Sequence, residues 1–241
     1  MTGEGITVRN QGAKALAISG AMKLCGSTII GITGFSGSGK DTVAALLAMR
    51  GFTRYAFADE LREEVRNVIS LLLYGAEHGA GGHEDAYLEV YGKEIVEAIY
   101  AYELLPEMVY AKPAPPLMRQ LLQRHGTEFR RTQDPNYWVS KLMEKIDNSD
   151  AALMALYGGA NSDFVSISDV RFANEADAIR ERGGKIWRVT RPNAHAPDGI
   201  LHHISESGQS EIVADETLVN DGTVYDLALK VRGLSSREVP F

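Results

Sequence analysis

Apolar side chains recur along the chain in two different periods, and the switching between them outlines the fold. Thr28 to Thr33 is a β-branched run that enters a Gly- and Ser-rich turn, and a helical period follows from Asp41 to Met49. Phe52 to Phe57 predicts a second short strand, with Leu61, Val65, Val68, Ile69 and Leu72 at helical spacing behind it. The β-α-β-α order then breaks. Tyr74 to His83 is glycine-rich, and a helical pattern carrying Tyr and Glu runs from Glu84 to Tyr110, ending at Pro113, Pro115 and Pro116. This stretch reads as a variable insertion. Helical periodicity resumes at Leu117, Leu121 and Leu122, is expected to stop near Gly126, and restarts after Pro135 with Trp138, Val139, Leu142 and Ile146.

Phe164 to Asp169 predicts a strand ending in a carboxylate, and Phe172, Ala176 and Ile179 mark the apolar face of a helix closed by Gly183-Gly184. Ile186 to Thr190 and Thr217 to Val219 are further strands, and Asn220-Asp221-Gly222 leads to a last helix carrying Val224, Leu227, Leu229 and Val231. Strands that alternate with helices predict an α/β fold: a parallel sheet covered by helices on both faces. The expected organisation is one domain over 28–241 with a mainly helical substrate-binding insertion over roughly 74–150. Residues 1–27 are expected to be a disordered extension, its first 21 residues dispensable so that a chain starting at Met22 keeps its stability and activity.

Composition changes this picture little. Of 241 residues, 44% are apolar and 24% charged, as in ordinary globular proteins. The net charge of −7 and the lack of a long basic tract argue against a protein held on nucleic acid by phosphate neutralisation. The lone Cys25 permits no internal disulfide and points to a reducing compartment. No apolar run approaches the roughly 20 residues of a spanning helix. No signal peptide stands out, so a cytoplasmic location without membrane contact is expected.

The strongest chemical signal is Gly34-Phe35-Ser36-Gly37-Ser38-Gly39-Lys40-Asp41-Thr42, a G-x-x-x-x-G-K phosphate loop set between a hydrophobic strand and a helix. Glycines let backbone N–H groups turn toward phosphate oxygens, the helix start adds its dipole, and Lys40 can bridge the outer phosphates. Asp41 stands where Ser or Thr usually follows the lysine, and Thr42 comes one place later. A dinucleotide G-x-G-x-x-G reading fails because Thr42 occupies the third glycine position. The expected ligand is ATP with Mg2+.

Asp169 is followed by Val170-Arg171-Phe172, not by D-x-x-G, and no N-K-x-D for guanine occurs, which disfavours a GTPase switch. Small-molecule kinases remain the leading class. The loop's Gly39 to Thr42, Met118 to Glu128, Tyr137-Trp138-Val139, Ser168-Asp169-Val170-Arg171 with Asn174-Glu175, Val189 to Pro192, His203 to Glu206 and Asn220-Asp221-Gly222 occur in this order. Together they make the chain resemble the bacteriophage deoxynucleoside monophosphate kinases, from about residue 28 to about residue 230. The resemblance implies transfer of the γ-phosphoryl of ATP to a deoxynucleoside 5′-monophosphate, with magnesium as counter-ion, in the host cytoplasm if phage-encoded. A homodimer is left open.

That chemistry needs positive charge and alignment, because a phosphate monoester with a second pKa near about 6 is already an anionic nucleophile at pH 7. Arg119 and Arg171, in the family-like stretches, are the expected contacts to the acceptor phosphate and the transferring group, with Arg130 next; Arg124, Arg131 and Arg191 are also available. Asp169, at a strand's carboxyl end, can hold magnesium together with Thr42, or cap the helix that follows it. Asp59 can touch the acceptor or cap its own helix, and Tyr137 and Trp138 can stack a base or fill the core. Glu175 joins the acceptor side, whereas Arg191, Asn220 and Gly222 fall to the ATP side, Asn220 to Gly222 beside adenine. His195, His202 and His203 lack a metal-ligand spacing, and His203 to Gly208 reads as part of a lid. Two other functions stay open: a metabolite kinase with a hydroxyl acceptor, in which Asp59 would act as base, and a nucleotide-sensing module without catalysis.

Overall fold

The computed structural model describes residues 28–78, 84–157, 164–192, 209 and 211–238. Five strands form one sheet in the order β2-β3-β1-β4-β5: β1 Thr28–Thr33, β2 Thr53–Tyr55, β3 Phe164–Ile167, β4 Lys185–Thr190 and β5 Glu216–Val219. Every pairing is parallel, with Ile30 opposite Ser166 on one side and Ile32 opposite Trp187 on the other. β1 is therefore central. It is buried on both sides, which is why it reads as a continuous β-branched run and not as an alternating strand.

Ile29, Val165, Ile167 and Ile186 face α6 (Tyr137–Tyr157) and α7 (Ala173–Glu181), meeting Trp138, Leu142, Ile146, Ala176 and Ile179. On the other face, Ile30, Ile32, Trp187 and Val189 meet Val43 and Leu47 of α1 (Lys40–Ala48) and Leu227 and Val231 of α8 (Val224–Glu238). Gly31 lets α7 approach the sheet, since a Cβ there would lie 2.7 Å from Ile179 Cδ1. A third core joins α2 (Phe57–His78), α3 (Glu84–Tyr91), α4 (Lys93–Tyr100) and α5 (Pro116–Gln123) around Val65, Ile69, Ile95, Ile99, Met118 and Leu121. This helical cluster meets the sheet through α2, whereas α6, which begins within the expected 74–150 insertion, packs on the sheet itself.

The structure departs from the sequence pattern in four places. Helix does not stop at Gly126: α5 passes into a π-helix over Arg124–Arg131, and the wider winding erases the 3.6-residue period that would have revealed it. The second strand ends at Tyr55, and Phe57 opens α2. The pattern from Glu84 to Tyr110 is divided among α3, α4 and a 3-10 turn over Pro106–Tyr110. In α8, Leu227 and Val231 are buried, whereas Val224 and Leu229 are exposed. The extension 1–27 with Cys25, residues 79–83 of the glycine-rich stretch, and the lid segment with His195, His202, His203 and Glu206 lie outside the described residues. Among the described residues, no helix is long and apolar enough to cross a membrane.

Candidate active site

In a parallel sheet all carboxyl ends share one edge, and the order reverses at β1, so the crevice opens where the loop after β1 begins. That loop is Gly34 to Gly39. Gly34 has φ 143°, and a Cβ there would sit 2.2 Å from the Val189 carbonyl oxygen, so only glycine passes beneath β4. Gly39, at φ 106°, ends the loop and starts α1. Phe35, Ser36 and Gly37 are exposed, and Ser38 Oγ is buried without a hydrogen-bond partner, an orphaned donor within the loop. Lys40 Nζ donates back to the carbonyls of Gly34 (2.5 Å) and Phe35 (2.8 Å), which holds the ammonium over the loop's first residues. Oxygens richer in charge than a carbonyl would take those donors. The loop thus fits a phosphate chain.

Asn220 bonds to the phosphate loop itself. Its Nδ2 donates to Ser38 O at 2.9 Å and its own N–H to Thr190 O at 2.7 Å, so the side chain braces the phosphate loop against the end of β5. Gly222 lies in an exposed turn before a capping box in which Thr223 Oγ1 accepts from Asp226 N and Asp226 accepts from Thr223 N. Asp41, 71% exposed, pairs with Arg54 Nη2 at 3.0 Å and lies 3.9 Å from Lys112 Nζ. Arg54 also donates to Ser168 Oγ at 3.2 Å, linking the first turn of α1 to the end of β3. Neither Arg54 nor Lys112 was anticipated from the sequence. Thr42 is half-buried in that same turn.

Asp169 caps a helix, but not the one that follows it. Its two oxygens accept from the N–H groups of Phe57 and Ala58 at 2.8 Å each, closing the N-terminus of α2. Burial pushes its carboxyl up, against the pull of those two N–H groups and of Arg171. A metal at this position would therefore compete with the cap or be met through water. Asp59 stands in the first turn of α2, 2.9 Å from Arg62.

The arginines divide into two sets. Arg124 donates to Tyr91 O, Arg130 Nε to Glu64 Oε2 at 3.0 Å, and Arg131 Nη2 to Glu175 Oε1 at 2.5 Å. Arg119, Arg171 and Arg191 are exposed, and among the described residues none of their guanidinium groups has a hydrogen bond or ion pair. Arg171 is therefore left available next to Asp169, whereas Arg130 is committed to Glu64 and to the faces of Phe129 and Tyr137, 5.0 and 4.8 Å from their centroids.

Three residues expected to meet substrate make contacts within the protein. Trp138 is 2% exposed and donates from Nε1 to Gly126 O at 3.0 Å, so it is core and offers no face to a base. Tyr137 is half-buried, carries Arg130 over its ring and donates to Glu64. Glu175 is 1% exposed and spends its carboxyl on Arg131 and on the backbone N–H groups of Arg171 and Phe172. Burial pushes that carboxyl up to about 7 against the pull of Arg131.

Glu64 was not anticipated either. It accepts from His125 Nε2 at 2.9 Å, from Arg130, and from Tyr137 and Lys141. Burial alone would raise its carboxyl, but these donors outweigh it and hold the group far below the usual carboxylate range. His125, 1% exposed, also meets Tyr91 OH at 2.8 Å, and burial pushes that phenol up to about 12. Glu64 lies three residues after Leu61 on the margin of the apolar face of α2, the position of a half-buried acid.

A parallel sheet that carries this phosphate loop at its central strand defines a P-loop-type α/β protein. Residues 64–231 match the family model for deoxynucleotide monophosphate kinase. A protein of Acanthamoeba polyphaga mimivirus with the provisional name deoxynucleotide monophosphate kinase is 30% identical over 203 residues, 82% of this chain and 91% of that protein. The chain belongs to the deoxynucleotide monophosphate kinase family. It is also similar to the solved structures of TT1252 from Thermus thermophilus (20% identity, TM-score 0.35, 88% of this chain and 97% of that one) and of dephospho-CoA kinase from Campylobacter jejuni (13% identity, TM-score 0.41, 89% and 99%).

Proposed function

We propose that the chain transfers the γ-phosphoryl of ATP to a deoxynucleoside 5′-monophosphate, giving ADP and the deoxynucleoside diphosphate. The observation that carries this reading is the phosphate loop with its orphaned Ser38 Oγ and its lysine held over the loop, at the crevice where the Arg171 guanidinium has no hydrogen bond or ion pair among the described residues. Lys40 and the loop's N–H groups would hold the β- and γ-phosphates. Thr42 would meet magnesium directly and Asp169 through water; when bound, the ion neutralises charge on the β- and γ-oxygens. An acceptor oxygen would then form a bond to the γ-phosphorus as the bond to the β–γ bridging oxygen breaks, with Arg171 and Arg119 on the acceptor and transferring groups. The acceptor is already ionised at neutral pH, so no base is needed, in keeping with the pairing of Asp59 to Arg62.

A coupled ADP-release assay tests this with magnesium ATP, the four deoxynucleoside monophosphates, their ribo counterparts and dephospho-coenzyme A. ADP release that depends on a deoxynucleoside monophosphate supports the reading. Release only with dephospho-coenzyme A would replace it by a hydroxyl-directed kinase, and no acceptor-dependent release by a nucleotide-sensing role.

A further inference from the structure

We propose that Glu175 is a positioning residue: it fixes the turn that carries Arg171 and fastens that turn to the π-helix through Arg131. Its side chain is 2% exposed, and every polar contact it makes is internal. Oε2 accepts from the N–H of Arg171 at 2.8 Å and of Phe172 at 3.2 Å, while Oε1 accepts from Arg131. The Arg131 guanidinium lies 3.9 Å from the centroid of the Phe172 ring. Next to it, Asn174 Nδ2 donates to Pro135 O and Asn136 Oδ1, both at 2.9 Å. The start of α7 is thus tied to the segment leading out of the π-helix through Phe172, Asn174 and Glu175. Two residues before Arg171, Asp169 holds the N-terminus of α2. Arg171 has its backbone secured from within and its guanidinium without a hydrogen bond or ion pair among the described residues, the arrangement a phosphate contact requires.

Removing the carboxyl strands two backbone N–H groups and leaves Arg131, 15% exposed, without its counter-charge. The turn then loses its register and Arg171 loses its aim. This inference rests on the kinase reading, because it takes Arg171 as a group that meets phosphate.

The test has two arms on the full chain. Hydrogen exchange at the Arg171 and Phe172 amides reads the positioning without any activity: Glu175→Ala should exchange there at least about tenfold faster than wild type, with Glu175→Gln, which keeps an acceptor oxygen, in between. Kinetics reads the consequence: Glu175→Ala should lower kcat about 10–100-fold, as a displaced contact does, with KM for ATP within about twofold. Arg171→Ala should lose a similar factor, and the double variant no more than Arg171→Ala alone. Losses that multiply in the double variant, or wild-type exchange in Glu175→Ala, overturn the proposal. Should Glu175→Ala not fold, Glu175→Gln decides: faster exchange at the two amides with a lowered kcat supports the proposal, and wild-type values of either overturn it. If wild-type protein releases no ADP with any deoxynucleoside monophosphate, the kinase reading fails and the exchange arm alone judges the positioning.

Discussion

Replacing Glu64 by Gln keeps the shape of the side chain and removes its charge, and the consequence can be sized from its surroundings. Glu64 is 12% exposed and faces His125 at 1%, Arg130 at 29% and Lys141 at 36% exposure. Taking one partner from a fully buried pair costs about 3–5 kcal/mol, but Arg130 and Lys141 retain a path to water and the amide oxygen still accepts one bond, so about 2–3 kcal/mol is expected. For a chain of this size that lowers Tm by roughly 5–10 °C. The pH dependence has a definite sign. The folded-state pKa of Glu64 is depressed, so its contribution is present above the unfolded value of 4.5 and is lost as pH falls below it. Urea unfolding at pH 7 and pH 3.5 measures both quantities: the gap between wild type and Glu64→Gln should be large at pH 7 and narrower at pH 3.5. A gap below about 0.5 kcal/mol, the size of an exposed pair, or one that does not change with pH, would refute the idea of a charged hub joining α2, the π-helix and α6.

Lys40→Ala should lower kcat by orders of magnitude with Tm nearly unchanged in thermal melts, since the ammonium bonds to carbonyls of the exposed loop and serves charge that develops in transfer. Asn220→Ala should cost about 1 kcal/mol by urea unfolding and raise KM for ATP while leaving KM for the monophosphate near wild type, because the lost bond braces Ser38. Glu175 has the opposite pH sign to Glu64. Its pKa is raised from 4.5 to about 7, so its contribution is full below 4.5 and lost as pH rises to about 7. The stability of wild type relative to Glu175→Gln should therefore fall between pH 5 and pH 8 in urea titrations.

The phosphate loop was legible because its chemistry is local: glycine spacing, lysine and flanking strand lie within one short stretch. The parallel sheet was legible too, from short strands rich in β-branched residues and separated by helices. What stayed hidden depends on winding or on distance. The π-helix reorders residues 124–131, so Arg130 turns to Glu64 on α2 and the adjacent Arg131 to Glu175 on α7, a division that a 3.6-residue wheel does not yield. Asp169 was recognised as a carboxylate at a strand end, but the helix it caps starts 112 residues earlier in the chain. Trp138 and Tyr137 look alike as adjacent aromatics, and only the packing of α6 on the sheet sends one into the core and leaves the other beside Arg130.

The most direct test of the central claim is to follow magnesium ATP and an equimolar deoxynucleoside monophosphate by phosphorus NMR after adding the protein. The account predicts that the monophosphate resonance declines as paired diphosphate signals of ADP and the deoxynucleoside diphosphate grow in step with loss of the β-phosphate of ATP, and that Lys40→Ala abolishes the change. A monophosphate resonance that stays constant with all four deoxynucleotides, while the wild-type protein is folded and binds ATP, would contradict it.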